Sequence, residues 1–240
     1  MSRLPKIATV NHLKYILLMI KVRISPRAAS KTSRNYWAKC NKTHADTSWK
    51  EFMLYYSNIK EMMNPAKDDT ILDAGCGSGE LTWLLHKDGF NVKGFDSSEH
   101  LVENAKKRFG NDLFYVDDFA NMRNTKGKFT KVFLNNAFFY IHPTYYKTVL
   151  KNLYNITEDN GTVYLFDNPD YSKRNIVNKR LLVNFLTFFL PVYNAYMCGF
   201  WVKTNNIKKT ALNIGFSKVE KLDVQTSYRS HHILFKEEKK

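Results

Sequence analysis

The 240-residue chain is long enough for one α/β domain, and its 44% hydrophobic and 15% aromatic residues suffice to build a core. This composition excludes a disordered chain, a collagen-like fibre and a disulfide-stapled miniprotein. The three cysteines, Cys40, Cys76 and Cys198, are far apart and form no CxxC pair. We therefore expect a reducing, cytoplasmic setting, with neither a disulfide framework nor a metal site.

The net charge of +15 is concentrated near the N-terminus, where residues 1–50 contain eleven Lys or Arg and one acid, Asp46. We interpret residues 1–34 as a basic extension and residues 35–240 as the folded domain. A solvated, lysine-rich arm is one explanation of this extension. Contact with nucleic acid or with an anionic membrane surface is the alternative. The sequence contains no recognised RNA-binding module, which argues against nucleic acid.

Two apolar stretches bear on membrane association. Tyr15–Ile20 is too short to span about 30 Å of hydrocarbon. Leu181–Val202 contains 22 residues without a charge, but Asn184 and Pro191 interrupt it, and it lies between two predicted strands of one sheet. We predict that an insertion at about 170–203 forms an apolar lid over an active site. A lid that also rests on the inner face of a membrane is the alternative.

The first predicted element is an amphipathic helix over residues 49–63, which begins at a capping box of Ser48 and Glu51. Strands and helices then alternate, and this predicts a doubly wound, mostly parallel sheet that ends in an antiparallel pair. The predicted strands are Thr70–Ala74, Asn91–Phe95, Leu113–Val116, Lys131–Leu134, Thr162–Phe166, Phe216–Val224 and Arg229–Phe235. Four predicted helices connect these strands. They are Glu80–Lys87, a helix that Ser97 caps and that ends near Phe109, Pro143–Ile156, and a helix that starts at Thr204 or Asn205 and ends at Asn213. Asn160-Gly161 is predicted as a turn.

A glycine-rich loop, Leu72-Asp-Ala-Gly-Cys-Gly-Ser-Gly79, joins the first strand to the next helix. Such a loop lets backbone N–H groups approach a ligand at the helix N-terminus. Glu80 occupies the position where the dinucleotide fingerprint requires its last glycine, so the NAD pattern fails by one residue. Asp73, two residues before the first glycine, suits a ligand with an ammonium group better than one with a pyrophosphate.

On this loop and on three acids that follow strands, the chain from about Tyr36 to Phe235 resembles the class I S-adenosylmethionine-dependent methyltransferases. The resemblance implies a Rossmann-like methyltransferase fold with seven strands in the order 3-2-1-4-5-7-6, the last strand antiparallel. It also implies S-adenosyl-L-methionine as the cofactor. Tyr36-Trp37 resembles an aromatic pair that precedes the motif in bacterial members, although core packing explains these residues equally well.

The resemblance assigns cofactor contacts residue by residue. The loop would contribute Asp73, Gly75, Cys76, Gly77 and Gly79, with Cys76 as a small buried residue and not a nucleophile. Asp96, which ends the second strand and is followed by Ser97, would bind both ribose hydroxyls. After the third strand, Asp118 would accept from the adenine amino group, with Asp117 as the second choice, and Phe119 would pack on the ring. Asn135 would lie beside the methionine moiety, next to Asn136.

The sequence indicates less about the methyl acceptor than about the cofactor. His142, just beyond the fourth strand, is the candidate general base, although it could also merely lead into the helix at Pro143. Asp167-Asn-Pro-Asp-Tyr171 is similar to the Asn/Asp-Pro-Pro-Tyr motif of enzymes that methylate planar amino groups. However, Asp170 replaces its second proline, and the string follows the fifth strand instead of the fourth.

We therefore predict methyl transfer to an oxygen of a small molecule, for which a sugar or natural-product hydroxyl would qualify. A lipid or membrane-associated acceptor is the first alternative. RNA methylation and a non-catalytic, cofactor-binding partner subunit also stay open.

Overall fold

The computed structural model describes residues 25–27, 37, 48–173, 193–194, 199–224 and 228–238. Most of the predicted N-terminal extension, most of the predicted lid and Tyr36 therefore lie outside the described residues. The helices are α1 (Trp49–Met63), α2 (Glu80–Lys87), α3 (Glu99–Phe109), α4 (Tyr146–Ile156) and α5 (Thr204–Ile214). The strands of the main sheet are β1 (Thr70–Ala74), β2 (Asn91–Asp96), β3 (Phe114–Val116), β4 (Phe129–Asn135), β5 (Thr157–Pro169), β6 (Lys218–Asp223) and β7 (Arg229–Phe235).

The seven strands follow the order β3-β2-β1-β4-β5-β7-β6, which confirms the predicted topology. β1 to β5 pair in parallel, whereas β7 is antiparallel to both β5 and β6. A separate two-residue ladder joins Tyr193–Asn194 to Gly199–Phe200. The chain leaves β1 toward β2 and β3 and then returns to β4, so a crevice opens at the carboxyl ends of β1 and β4, where ligands bind in such sheets.

Neighbouring residues of each central strand belong to opposite faces of the sheet, because side chains alternate along a strand. On one face, Ile71 and Phe133 pack with buried residues of α1 and α2. On the other, Leu72 and Val132 pack with α4 and α5. Both faces of the central strands are therefore covered, and the carboxyl edge of the sheet is the place where polar groups meet.

Three local predictions were wrong. Ser98 caps α3 in place of Ser97, because the Ser98 hydroxyl accepts from Leu101 N–H at 3.4 Å. The predicted Asn160-Gly161 turn lies inside β5, where the register against β4 shifts and Asn160 has a φ of 63°. Pro143 begins a 3-10 turn, Pro143–Tyr145, ahead of α4.

Among the described residues, no helix has the length and apolar character needed to cross a bilayer.

Candidate active site

The glycine loop lies against the ends of β2 and β4. Gly75, Gly77 and Gly79 all have left-handed φ values, 85°, 57° and 86°. The N–H groups of Gly75 and Cys76 both donate to the Phe95 carbonyl at 2.8 Å, which fixes the loop over β2. A Cβ atom on Gly75 would lie 2.8 Å from the Ala137 Cβ and 2.9 Å from the Phe119 ring. The loop therefore requires glycine here for its conformation and for its close packing.

Asp73 places a buried carboxyl group at the end of β1. Its side chain accepts a hydrogen bond from the Thr82 hydroxyl at 2.7 Å. Burial raises the pKa of Asp73 to about 7, and the nearby Asp96 and Glu80 carboxylates add to the rise, whereas the Thr82 hydrogen bond opposes it. A cationic group of a ligand would favour the ionised form and offset this burial.

Asp96 is held in place by two backbone N–H groups. Gly77 N–H donates to Oδ2 at 3.0 Å, and Ser98 N–H donates to Oδ1 at 2.8 Å. Burial raises the pKa of this carboxyl group, and the hydrogen bonds oppose the rise. Each carboxylate oxygen can accept more than one hydrogen bond, so the oriented carboxylate can also accept from both hydroxyls of a vicinal diol.

The two acids that follow β3 have different environments. The Asp117 carboxylate accepts from the backbone N–H groups of Arg123, Asn124 and Thr125 at 3.0, 3.1 and 2.8 Å, and from the Thr125 hydroxyl at 2.6 Å. Asp117 therefore stabilises the loop that follows β3. Asp118 accepts a backbone hydrogen bond, from Ala120 N–H at 2.7 Å, and lines a cavity that Phe119 also lines. Of the two acids, Asp118 suits a ligand contact.

Glu80 lies at the first position of α2. The Ser78 hydroxyl donates to Glu80 Oε2 at 2.6 Å, and Arg108 donates to Oε1 at 2.5 Å. Burial alone would raise the pKa of Glu80, but these two partners hold it below its ordinary value. A charged side chain thus stands where a dinucleotide-binding loop has its last glycine.

A cavity of about 290 Å³ lies over the carboxyl ends of β1 and β4. It is lined by most of the residues that the sequence assigned to cofactor contacts: Asp73, Gly75, Cys76, Gly77, Asp96, Ser97, Phe119 and Asn135. A neighbouring cavity of about 260 Å³ shares Ser97, Phe119 and Tyr140 with it and adds Asp118 and His142. Gly79 is not among the lining residues, because it packs against Phe114 and Ala105.

A polar network beside Asn135 was missed by the sequence analysis. The Tyr55 hydroxyl donates to Asn135 Oδ1 and accepts from Asn136 Nδ2 at 3.2 Å. Arg229 donates to Asn136 Oδ1 at 2.7 Å and to the Asp167 carbonyl. Burial raises the pKa of Tyr55, so its hydroxyl stays protonated. The network joins α1, β4, β5 and β7 around one end of the main cavity.

His142 caps the 3-10 turn that precedes α4. Its Nδ1 accepts from Thr144 N–H at 3.3 Å and lies 2.8 Å from the Thr144 hydroxyl oxygen. The ring also makes an edge contact with Phe200 at 5.0 Å between centroids. These contacts support the structural interpretation of His142, although the residue also lines the second cavity.

His231 accepts from Asp167 N–H through Nδ1 at 2.9 Å, and burial lowers its pKa. In the described part of the chain, no group of three or more His, Cys, Asp or Glu is arranged to hold a metal ion.

Comparisons with known proteins agree with this geometry. A family model described as a methyltransferase domain matches residues 71–161. The tRNA U34 carboxymethyltransferase of Actinobacillus pleuropneumoniae serotype 3 (strain JL03) is 37% identical over 73 residues, which is 29% of this chain and 22% of that protein. The chain thus spans 22% of the length of the curated relatives that it matches first.

Solved structures show the same fold at low identity. Magnesium protoporphyrin IX methyltransferase from Synechocystis PCC 6803, with bound S-adenosylhomocysteine, has a TM-score of 0.63 and 16% identity over 86% of this chain and 99% of that chain. Geranyl diphosphate C-methyltransferase from Streptomyces coelicolor A3(2) has a TM-score of 0.59 and 13% identity over 87% and 97% of the two chains.

The sheet order, the acid-flanked glycine loop and the match over residues 71–161 are those of a methyltransferase-type α/β fold. Two Synechocystis structures with this fold hold S-adenosylhomocysteine and S-adenosylmethionine, respectively.

Proposed function

We propose that this protein is an S-adenosylmethionine-dependent methyltransferase that methylates an oxygen atom of a small-molecule acceptor bound over the carboxyl ends of β4 and β5. One observation carries this proposal. The cavity that holds the cofactor acids Asp73 and Asp96 continues past Asn135 to Asn136, Tyr140 and other aromatic side chains. A concave, partly aromatic space next to the cofactor suits a small organic acceptor.

The cofactor, when bound, supplies an electrophilic methyl group on a sulfonium, and the protein contributes orientation and exclusion of water. In this assignment, Asp73 faces the ammonium group and Asp96 accepts from the ribose hydroxyls. Asp118 accepts from the adenine amino group, while Phe119 packs on the ring. Asn135, oriented by the Tyr55 hydroxyl, lies beside the methionine moiety.

An acceptor hydroxyl must lose its proton, and His142 is our candidate for the base. The ring borders the second cavity together with Tyr140 and Asp118. This assignment predicts that the acceptor oxygen reaches the second cavity, which His142 lines.

The residues of the string 167–171 argue against methylation of a planar amino group. Asn168 is fully buried, and its amide donates to the Leu165 carbonyl at 2.8 Å. Asp170 is also buried and forms an ion pair with Lys221 at 2.5 Å. Asn168 Oδ1 has no hydrogen-bond partner among the described residues, but neither Asn168 nor Asp170 lines the main or the neighbouring cavity, so neither is placed to hold an exocyclic amine there.

Calorimetric titration with S-adenosylhomocysteine tests the cofactor assignment, with NADH as the negative control. We expect micromolar binding of the first ligand and none of the second. Asp96→Asn should weaken binding by about 10- to 100-fold, because a hydrogen bond to a charged group contributes about 1.5–3 kcal/mol. Asp112→Asn, which removes an exposed carboxylate outside the main cavity, is the matched control and should bind normally.

Absence of S-adenosylhomocysteine binding would contradict the assignment and favour a non-catalytic partner subunit.

Transfer of a labelled methyl group from S-adenosylmethionine then tests the acceptor class. Labelling of small molecules in a cell extract is expected, whereas labelling of RNA alone would overturn the proposal.

A further inference from the structure

The main cavity has opposite charges at its two ends. Its carboxylates are Asp73 on β1, Glu80 at the start of α2 and Asp96 at the end of β2. Arg229 is the one Lys or Arg among the described residues that line it, and it begins β7. Adjacent strands are about 4.8 Å apart, so the Arg229 backbone is two strands, or about 10 Å, beyond β4. Acids therefore face the cationic cofactor, and a cation lies on the acceptor side.

The Arg229 guanidinium group is fixed by its surroundings. Its Nη1 donates to Asn136 Oδ1 at 2.7 Å and lies 3.5 Å from Asp167 Oδ2. The rings of Phe139 and Tyr228 lie 5.5 and 5.3 Å from the guanidinium carbon, and 18% of the side chain is exposed. A guanidinium held in this way has a fixed orientation and keeps its charge, and these are the properties that arginine contributes to the recognition of an oxyanion.

Two of its partners have an unfavourable backbone conformation. Asn136 and Asp167, at the ends of β4 and β5, have φ values of 52° and 61° although neither is glycine. Left-handed conformations cost free energy and cluster at functional sites. Here they direct the Asn136 amide and the Asp167 carbonyl toward the same guanidinium group.

We infer that the methyl acceptor carries an anionic oxygen group, a carboxylate or a phosphate, which Arg229 binds at the β5 and β7 end of the cavity. This inference rests on the proposed function and specifies its substrate class. The aromatic side chains Trp37, Phe139 and Tyr140 line the same cavity and suit an apolar body attached to the anionic group.

Paired probe ligands test this inference on the protein saturated with S-adenosylhomocysteine. The carboxylate pair is 4-hydroxybenzoate and its neutral amide, and the phosphate pair is phenyl phosphate and phenol. We expect the wild type to bind the anionic member of at least one pair tenfold or more tightly. The pair that shows this preference identifies the carboxylate or the phosphate as the recognised group.

Arg229→Gln should abolish the preference, and Arg229→Lys should keep part of it, because lysine retains the charge but not the planar fork. Both variants should still bind S-adenosylhomocysteine, which shows that they fold.

Equal affinity for the charged and neutral probes, or no binding of any probe, overturns the inference. Weaker S-adenosylhomocysteine binding by Arg229→Gln with an unchanged probe preference also overturns it, because Arg229 would then serve the carboxylate of the cofactor. Failure of the wild type to bind S-adenosylhomocysteine would contradict the proposed function instead, so the two failures are distinguishable.

Discussion

Asp73 combines burial with a position at the start of the glycine loop, and from this combination we predict that cofactor affinity depends on pH. In the free protein its pKa is raised to about 7 by burial, assisted by the charges of Asp96 and Glu80. A cofactor with an ammonium group at this place binds the ionised form. As pH falls below 7, Asp73 takes up a proton, and binding must then displace that proton.

We therefore predict that S-adenosylhomocysteine binds about tenfold more weakly at pH 6 than at pH 8, which calorimetry in matched buffers would measure. Asp73→Asn should bind weakly at both pH values and show little dependence on pH. A wild-type affinity that is constant from pH 6 to pH 8 would contradict this role of Asp73.

At the residue scale, the strand-and-loop pattern was sufficient to place Asp73, Gly75, Gly77 and Asp96 at the main cavity, whereas Gly79 packs away from it. Spacing alone could not decide whether Asp117 or Asp118 would accept from the adenine amino group. Thr125, in the loop that follows, donates to the Asp117 carboxylate through its N–H and its hydroxyl, and so fixes the direction of that side chain. No local pattern in the sequence encodes this contact.

At the element scale, α1 connects the outer layer of the fold to the site through one hydroxyl group. Tyr55 contacts Asn135 and Asn136, which lie 80 and 81 residues away in sequence. We predict that Tyr55→Phe weakens S-adenosylhomocysteine binding by about tenfold, because Asn135 loses the donor that orients it. We also predict that the free energy of unfolding falls by about 1–3 kcal/mol, since a buried acceptor is left unpaired.

Tyr56→Phe is the matched control on the same helix. The Tyr56 hydroxyl donates to Asp88 at 2.7 Å, and Tyr56 does not line the main cavity. This variant should lose stability in urea unfolding but keep the wild-type affinity for S-adenosylhomocysteine. Equal losses of affinity in the two variants would show that Tyr55 has no specific role in the site.

Helical periodicity and the capping box were enough to predict the bounds of α1, since both signals are local. They did not indicate that Tyr55 serves the site, nor that Arg229 would reach Asn136 from 93 residues away. Such contacts depend on the order of the strands, which brings β7 next to β5. The order itself was available only through the resemblance to a known family.

At the scale of the whole molecule, a buried polar group joins the antiparallel end of the sheet to α5. His232 of β7 is fully buried, and its Nε2 lies 3.0 Å from the hydroxyl oxygen of Thr204, the first residue of α5. Burial lowers the pKa of His232 to about 4, with smaller effects of Asp170, Lys221, His231 and Asp223. The folded protein therefore holds this ring in its neutral form.

This depressed pKa determines the sign of a stability change with pH. An unfolded histidine takes up a proton near pH 6.5, whereas His232 in the folded protein does so only near pH 4. Between these values acid favours the unfolded chain, so stability falls as pH falls. We predict that His232 contributes about 2–3 kcal/mol to the loss of unfolding free energy between pH 7 and pH 4.5.

Urea unfolding of the wild type and of His232→Asn at the two pH values measures this contribution. The variant has no ring to protonate, so its loss of stability between pH 7 and pH 4.5 should be smaller by that amount, whatever its stability at pH 7. His86→Asn, which removes an exposed histidine of α2, should retain the wild-type difference. If the free energy of unfolding depended equally on pH in the wild type and in His232→Asn, His232 would titrate alike in the folded and unfolded states. Burial beneath α5 would then not keep its ring neutral.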